Sequence, residues 1–549
     1  MAPEPHSLNA QSEGLAVAKK GPKTKGFALV GNTKGINEQD GVFAIQPDSA
    51  AAVENLHRSK SGQFTVENQG NVNFSAEIEG GERIDSLGWF KTDAGGSYFL
   101  AAANGKIKNI NSSTGAVTGD VTTNNTAGNL VSFCPFKGYV YMAEESMAPL
   151  KWDGSATTAM GAFPKTVGSD TYDKPKILGP FQNRVVACNF ENFPSTFGIT
   201  DSLTGETITV TSTNAGDGLI SQVNPGDGEE LTAFYSYYSA SQGEEVGVFF
   251  KSRGLYILSG NTPTTWQLTA VSSEYGCLNH QCVARVGNDL IFLDRSNIYN
   301  LTTAVQSGNI EPKILGGKRV QTTLASMNLT QTEKAWVKHM PWRQEVWFGI
   351  PTGSSSEVDT IIVYRYASDP LGVEVEPTWS VRKNIDTTCG LVADERLYTG
   401  TTDGYMRRWF TTSQNNGIAI PWKYRYPFYA FDDGNISSKR IKYAHAWFRA
   451  QEDVTLTIKT RWRHSDKFTN VRTLSKTVTS ADAEEYGVAI YGSSVYPDTG
   501  DGLKCIMFFP PGEGTQIQFE VSGSSPATGV EFLGITGLVE IGAPSTRYI

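Results

Sequence analysis

The sequence predicts an all-β protein, a six- or seven-bladed β-propeller followed by a C-terminal β-sandwich. The first observation is a repeated pattern of short apolar segment, tight polar turn and second apolar segment, which recurs seven times between about residue 87 and residue 410. The second is that several of these turns are Asn-Gly or Asp-Gly, the strongest local signal for a β-hairpin. The third is the spacing, since hairpins that return every 40 to 50 residues or so are typical of propeller blades.

Residues 1–80 are rich in Gly, Asn and Ser and contain a basic cluster, Lys19, Lys20, Lys23 and Lys25. Their apolar runs, such as residues 27–30 and 64–66, are short. This composition predicts an N-terminal arm with a few strands that another part of the molecule must cover. A solvated arm is a simpler interpretation of the basic cluster than a nucleic-acid-binding patch.

Residues 81–415 are predicted to form the propeller, with blades that begin near residues 87, 131, 178, 246, 283, 336 and 391. An insertion at about 201–243 separates the third blade from the fourth. Its Gly, Ser and Asp content predicts a loop or small subdomain that projects from the ring and can be deleted without unfolding the propeller.

Residues 416–549 are predicted to form a separate β-sandwich, because residues 454–462 follow the period-2 alternation of apolar and polar side chains that is typical of a strand. Trp447 and Trp462 are predicted to fill its core or a subunit interface. A short helix is predicted over residues 481–486, with Ser480 as its N-cap and acidic residues in its first turn.

Composition limits the classes of function. Hydrophobic residues make up 39% of the chain and charged residues 19%, which indicates a folded rather than a disordered protein. The formal net charge of −9 argues against a protein that grips DNA through its phosphates. No apolar run is long enough to span a bilayer, so no stable membrane insertion is expected. The six cysteines are predicted to be reduced core residues of a protein made in the cytoplasm: Cys134, Cys188, Cys277, Cys282, Cys389 and Cys505.

No catalytic, cofactor-binding or metal-binding residue is predicted, and the chain is not expected to be an enzyme. The cluster Cys277, His280 and Cys282 lacks a fourth ligand at zinc-site spacing. Residues 259–266 resemble the Asp-box of sialidase-type propellers, but Asn261 and Pro263 occupy two diagnostic positions. Residues 432–435 are predicted to be a surface turn rather than a calcium loop. The serine-hydrolase elbow and the phosphate-binding loop are both absent from the sequence.

Several segments resemble the tail nozzle (tail tubular protein B) family of short-tailed bacteriophages. They contain a strand that ends in Leu-Ser-Gly, a Tyr-Gly-Cys turn, a Gly-Asn-Asp hairpin followed by Phe-Leu, and a Val-Trp-Phe blade. The similarity extends over about 245–410 and, more loosely, over 420–549. The segments that carry it are residues 254–260, 272–277, 286–293, 341–366, 378–381, 516–521 and 532–540.

This resemblance implies a structural virion protein, located in the viral tail, that forms a homo-hexameric ring. In that family the ring is the distal tail tube, and it serves as the DNA channel for genome ejection into the host. A tail adaptor protein would lie above the ring, and tail fibres or tip proteins beside or below it. DNA would pass through the lumen without specific binding.

Two other classes of function stay open on the sequence alone. A receptor-binding or carbohydrate-binding propeller could use some of the 22 Tyr and 11 Trp residues to stack on sugars. A propeller-type glycan hydrolase is the third possibility.

Overall fold

The computed structural model describes most of the chain. The described residues are 23–30, 34–40, 44–58, 64–66, 68–211, 214–239, 243–303, 310–366, 377–431, 437–450, 452, 454–463, 465, 467–476 and 503–544. The predicted helix at 481–486, the predicted turn at 432–435 and the first two lysines of the basic cluster lie outside them.

Within these ranges, seven antiparallel four-stranded units, numbered here as blades 1 to 7, follow one another around a ring. The strands of blade 1 are Ile84–Lys91, Ser97–Ala103, Lys106–Asn111 and Val117–Thr122, and those of blade 2 are Ser132–Phe136, Tyr139–Glu144, Met147–Trp152 and Thr157–Ala159. The strands of blade 3 are Pro175–Phe181, Arg184–Phe190, Phe193–Ile199 and Leu219–Gln222, and those of blade 4 are Leu231–Ser239, Glu244–Lys251, Leu255–Ser259 and Gln267–Ser272. The strands of blade 5 are Val283–Val286, Asp289–Leu293, Ile298–Thr303 and Ile310–Ile314, and those of blade 6 are Trp336–Met340, Glu345–Ile350, Val358–Arg365 and Thr378–Thr387. The strands of blade 7 are Gly390–Ala393, Arg396–Gly400, Met406–Trp409 and, from the N-terminal region, Asn71–Asn73.

The ring is closed. The first strand of each blade contacts the first strand of the next, and that of blade 7 contacts that of blade 1. The fourth strand of blade 7 comes from the opposite end of the chain, because Asn71–Asn73 pairs antiparallel with Met406–Trp409. Clusters of buried apolar side chains lie between neighbouring blades, including one that joins blade 7 to blade 1. The predicted fold class is therefore confirmed, and the described residues form seven blades.

The hairpin turns follow the conformation that the sequence signal implies. Asn104 and Gly105 have φ of 46° and 76°, as the type I′ turn requires. The pairs Gln182–Asn183 and Asp394–Glu395 also have φ > 0 at both residues, although neither contains glycine. The pairing of the two flanking strands therefore imposes positive φ at these turns, although their local sequence does not predict it.

The prediction that residues 201–243 form an insertion projecting from the ring is wrong. Leu219–Gln222 is the outer strand of blade 3, and Leu231–Ser239 is the inner strand of blade 4, so blade 4 begins at 231 rather than 246. The Gly-rich composition concealed these strands because the glycines lie in the loops that flank them. The longest stretch here that lies outside the four-stranded units is the segment 200–218.

That segment is itself anchored to the propeller. Ile208 is 3% exposed and belongs to the apolar cluster between blades 2 and 3. The Tyr141 hydroxyl donates to Glu206 Oε1 at 2.6 Å. The buried guanidinium of Arg184 donates to four backbone carbonyl groups of the segment, those of Thr200 (2.9 Å), Ala215 (2.8 Å), Gly216 (3.1 Å) and Asp217 (2.7 Å).

The C-terminal domain consists of two packed sheets that share one apolar core. The first sheet contains Lys23–Val30, His57–Arg58, Phe64–Thr65, Ser437–Arg449, Leu503–Phe508 and Glu531–Pro544. The second contains Ala52–Glu54, Pro421–Arg425, Val454–Trp462, Thr469–Lys476 and Ile517–Ser524. The described part of residues 1–80 is thus not a separate arm: its first four strands complete the sandwich, and Asn71–Asn73 completes the propeller.

Two small hairpins and three short helices remain among the described residues. A hairpin follows blade 2, a second follows blade 7, and short helices flank the start of blade 6. They are Lys165–Val167 with Asp170–Tyr172, Gln414–Asn415 with Ile418–Ala419, the α-helix Gln321–Ala325, and the 3₁₀ helices Thr332–Lys334 and Pro341–Arg343.

The propeller and the sandwich share a continuous nine-stranded sheet. The outer strand of blade 6, Thr378–Thr387, is followed by Ala52–Glu54 through the parallel pair Val381 and Glu54. Ala52–Glu54 then pairs antiparallel with Pro421–Arg425 of the sandwich. Backbone hydrogen bonding therefore runs from one domain into the other.

A buried polar network lies at this junction. The Glu345 carboxylate has no exposed side-chain surface and lies 3.0 Å from His57 Nδ1. It also accepts a hydrogen bond of 3.0 Å from Trp347 Nε1. Burial by itself would raise the pKa of Glu345, but His57 and Arg343 outweigh that effect and hold it well below its usual range. Burial lowers the pKa of His57 to about 4, so at neutral pH its imidazole is an uncharged donor to this carboxylate.

We predict that Arg184→Ala lowers the free energy of unfolding by about 3 kcal/mol, because four backbone carbonyl groups, two of them on the buried residues Thr200 and Asp217, lose charge-assisted hydrogen bonds. Urea unfolding followed by tryptophan fluorescence measures the effect. Arg295→Ala, which removes an exposed arginine of blade 5, is the matched control and should shift the midpoint little. Equal midpoints for the two variants would mean that residues 200–218 are dispensable for folding.

We predict that Glu345→Gln lowers the free energy of unfolding by about 3–5 kcal/mol, because it leaves the arginine side chains around position 345 without their buried counter-charge. Thermal unfolding of the full chain measures the loss. Glu395→Gln in an exposed turn of blade 7 is the control. A melting temperature equal to that of the control would show that the network does not hold the junction.

Candidate functional site

The propeller encloses a cavity of about 650 Å³, lined by residues from all seven first strands. Each of these strands is the end strand of its described sheet, so one backbone edge of each faces this space. Peptide N–H and C=O groups at such an edge can bind water or a ligand. We call this space the cup, because one of its ends is bridged by side chains.

The floor of the cup is formed where the first strands begin. Gln281 leads into blade 5, and its side-chain amide lies 3.4 Å from the hydroxyl of Ser86 in blade 1. Blades 1 and 5 are not neighbours in the ring, so this contact spans the interior. The mouth lies at the far ends of the first strands, where Trp89, Arg285 and His339 are found.

Lys338 is the cation inside the cup. It lies in the middle of Trp336–Met340 and is half-buried. Its aliphatic stem packs over Gly390, where an added Cβ would come within 3.0 Å of Lys338 Cγ. No residue that the structure describes forms a hydrogen bond or ion pair with its ammonium group, and burial lowers the pKa of Lys338.

Two histidines accompany this lysine on the cup wall. Burial, and then the positive charges of Lys338 and Lys176, lower the pKa of His280 to about 3, so its ring is neutral at pH 7. His339 lies 2.6 Å from the Tyr366 hydroxyl through its Nε2. Arg285 is exposed at the mouth, and its Nε donates to the Gly287 carbonyl at 3.1 Å.

Glu245 is the carboxylate among the lining residues, and the protein already uses both of its oxygens. Oε1 accepts from the Ser236 hydroxyl at 2.7 Å, and Oε2 accepts from the Gln182 backbone N–H at 2.9 Å. The lining residues include two cations, Lys338 and Arg285, and one carboxylate, so the wall of the cup carries more positive than negative charge, although the whole chain carries −9.

Of the cup residues, only His280 belongs to a motif considered from the sequence, the cluster Cys277, His280 and Cys282, and no site is predicted there. The available signal is Lys338 itself, a charged residue within the otherwise largely apolar segment Trp336–Met340. Its significance depends on six other strands that surround it, and these come from distant parts of the chain.

The motifs that the sequence did single out have structural roles. Cys277 Sγ and Cys282 Sγ donate to the carbonyl groups of Asn279 (3.3 Å) and Ala335 (3.2 Å). Burial raises the pKa of Cys282 to about 12. No group of three or more potential metal ligands exists among the described residues. In the Asp-box-like segment, the Thr265 hydroxyl accepts from the Asn261 and Thr262 backbone N–H groups and closes a turn.

A second candidate surface lies on the outside of the sandwich. Tyr443, His445 and Trp447 follow one another on the outer face of Ser437–Arg449, with ring centroids 5.5 Å and 6.2 Å apart. Met507 lies opposite His445, and Phe509 is 46% exposed beside it. We call these five residues the aromatic face.

The two predicted tryptophans thus have different environments. Trp462 is 6% exposed in the sandwich core, and its Nε1 donates to the Pro511 carbonyl at 2.8 Å. Trp447 is half-buried on the aromatic face, and its Nε1 donates to the Thr536 hydroxyl at 2.7 Å. The core prediction is confirmed for Trp462, whereas an interface role for Trp447 stays a prediction.

Comparisons with known proteins do not assign this chain to a family. No family model matches it, and no curated protein matches it. A computationally designed protein, Ika8, is similar at 14% identity with a TM-score of 0.34, covering 62% of this chain and 99% of its own. YCF48 from Cyanidioschyzon merolae is similar at 10% identity with a TM-score of 0.37, covering 60% of this chain and 96% of its own. YCF48 bound to D1 peptide is similar at 12% identity with a TM-score of 0.36, covering 61% and 94%.

The search for membrane-spanning helices gives one further finding. Among the residues that the structure describes, no helix has the length and apolar character needed to cross a bilayer.

We predict that Trp462→Ala lowers the free energy of unfolding by about 3–5 kcal/mol, because it leaves a large cavity in the sandwich core. Trp447→Ala is the comparison variant: it removes a half-exposed ring and should cost about 1 kcal/mol in the isolated chain. Urea unfolding at low protein concentration measures both. Similar losses for the two variants would show that Trp447 is also a core residue.

Proposed function

We propose that this chain is a structural virion protein, the subunit of a hexameric tail nozzle through which a short-tailed phage ejects its genome. The proposal rests on the sequence resemblance described above and on one structural observation, the continuous sheet that joins propeller and sandwich. A tail tube must resist the pressure of packaged DNA, and a subunit whose two domains share backbone hydrogen bonds resists bending between them.

Three of the segments that carry the resemblance, residues 341–366, 378–381 and 516–521, lie in the nine-stranded sheet that joins the two domains. Residues 341–366 and 378–381 fall in blade 6, whose outer strand continues into the sandwich. Residues 516–521 and 532–540 fall in Ile517–Ser524 and Glu531–Pro544, one in each sheet of the sandwich. The similarity therefore includes the sheet that joins the two domains as well as the hairpins of blades 4 and 5.

In this proposal the genome passes through the space between subunits and not through the propeller. The cup is too small for a duplex, whose major groove alone is about 12 Å wide, and the contact between Gln281 and Ser86 bridges its floor. Six copies at −9 each give the ring a formal charge of −54. Such a charge repels phosphate and lets DNA slide.

The aromatic face is the surface that we assign to contacts with other tail proteins or with neighbouring subunits, because exposed apolar side chains favour association. Lys23 and Lys25 lie on an exposed strand at the edge of the sandwich. In the proposed nozzle they face a neighbouring subunit or the adaptor rather than the genome.

We predict that the purified chain forms a ring with a mass six times the 59.7 kDa of the monomer, alone or after its upstream tail partner is added. Mass photometry and negative-stain electron microscopy measure the copy number. Trp447→Ala should shift the particle towards smaller species, whereas Tyr139→Ala, an exposed aromatic residue on blade 2, is the control.

The same preparation should show no measurable duplex binding at physiological salt, where phosphate-contacting proteins still bind with constants of roughly 10⁻⁴ to 10⁻⁶ M. Salt-sensitive duplex binding would contradict passage without adhesion. A stable monomer or trimer that gives a glycan-array signal would support the receptor-binding alternative, and turnover of a polysaccharide would support the hydrolase.

A further inference from the structure

Lys338 is held in a position that costs stability. Partial burial disfavours an unpaired charge, and the half-buried ammonium of Lys338 has no partner among the described residues while its stem is fixed over Gly390. An apolar side chain would fill the same space without that cost. The Lys338 ammonium is therefore a charged group that lacks a counter-charge among the described residues.

The cup supplies further donors around this ammonium. The neutral ring of His280 feels the Lys338 charge and carries an N–H group of its own. It forms no hydrogen bond with any residue that the structure describes. Backbone edges of the seven first strands add peptide N–H groups, and Arg285 provides positive charge at the mouth.

The available acceptors do not neutralise this wall. Both oxygens of Glu245 receive hydrogen bonds from Ser236 and Gln182. Lys176, which also acts on His280, is paired with Glu145 at 3.2 Å. A cation would therefore meet a repulsive surface, and a neutral sugar would leave the lysine charge uncompensated.

We propose that the cup is a binding site for a small oxyanion, a phosphate or a carboxylate, held by the ammonium of Lys338. A cavity of about 650 Å³ admits such an anion together with its bridging waters. The bound anion supplies the counter-charge that the chain itself lacks. It enters from the mouth past Arg285, because the floor is bridged by Gln281.

This site is independent of the proposed tail function, since it requires only the folded propeller. It also differs from a nucleic-acid site, because a duplex cannot enter the cup. The oxyanion is a ligand of the individual subunit, whatever assembly the subunits form.

The test uses the full chain with two probes, inorganic phosphate and malonate, at constant ionic strength adjusted with sodium chloride. Isothermal titration calorimetry measures affinity, and thermal unfolding measures the rise in melting temperature with probe concentration. Comparison of the two probes identifies which kind of oxyanion the cup prefers. We expect saturable binding of at least one probe to the natural chain.

Lys338→Met is the principal variant, and Lys313→Met, at an exposed strand position of blade 5, is the matched control. We expect Lys338→Met to weaken binding at least about tenfold, the effect of losing one charge-assisted contact. In chloride buffer without either probe, it should melt at a higher temperature than the natural chain, because the uncompensated charge is gone. Lys313→Met should behave like the natural chain in both measurements.

Lys338→Gln keeps a polar side chain of similar length and is used if the methionine variant fails to fold. Failure of both probes to bind the natural chain would overturn the proposal. Binding that is the same in the natural chain and in a folded Lys338 variant would overturn it as well.

Discussion

The buried carboxylate of Glu345 is the point on which the arrangement of the two domains depends. Its partners come from blade 6 itself, through Trp347 and Arg343, and from the N-terminal segment, through His57. The same segment continues to Gln69, whose backbone carbonyl accepts from Arg382 of blade 6 at 2.8 Å. Two residues later it becomes the outer strand of blade 7. One buried charge therefore fixes the path of the segment that both completes the sandwich and closes the ring.

Ring closure also depends on hydroxyl groups that link neighbouring blades near the cup. The Ser86 hydroxyl accepts from the Val131 backbone N–H at 2.9 Å, and the Ser132 hydroxyl donates to the Leu178 carbonyl at 3.1 Å. These hydrogen bonds satisfy some of the backbone N–H and C=O groups on the inner edges of the blades. They therefore link the inner strands of neighbouring blades although these strands do not pair with each other in a sheet. The remaining edge groups and Lys338 give the cup its polarity.

The sequence was sufficient for the fold where local signals and tertiary structure agree. The Asn104–Gly105 turn and the alternating strand Val454–Trp462 were visible because turn conformation and strand period are local properties. Blade 4 was placed 15 residues too late, at 246 rather than 231, because its first strand is rich in Ser and Tyr and follows a Gly-rich loop. The strand Asn71–Asn73 could not be assigned to blade 7 at all, since its partner lies more than 300 residues away.

The cup illustrates the same limit more strongly, and it separates two properties of the chain. Net charge is additive and can be read from composition, so −9 predicts how the whole molecule repels a polyanion at a distance. The charge of an enclosed surface depends on which few side chains the topology directs inward, and here the charged ones are Lys338, Arg285 and Glu245. A subunit that repels DNA outside can therefore attract a small anion inside. The two behaviours do not conflict, because screening limits the reach of exposed charges to about 8–10 Å in physiological salt, whereas a half-buried ammonium acts on its immediate neighbours.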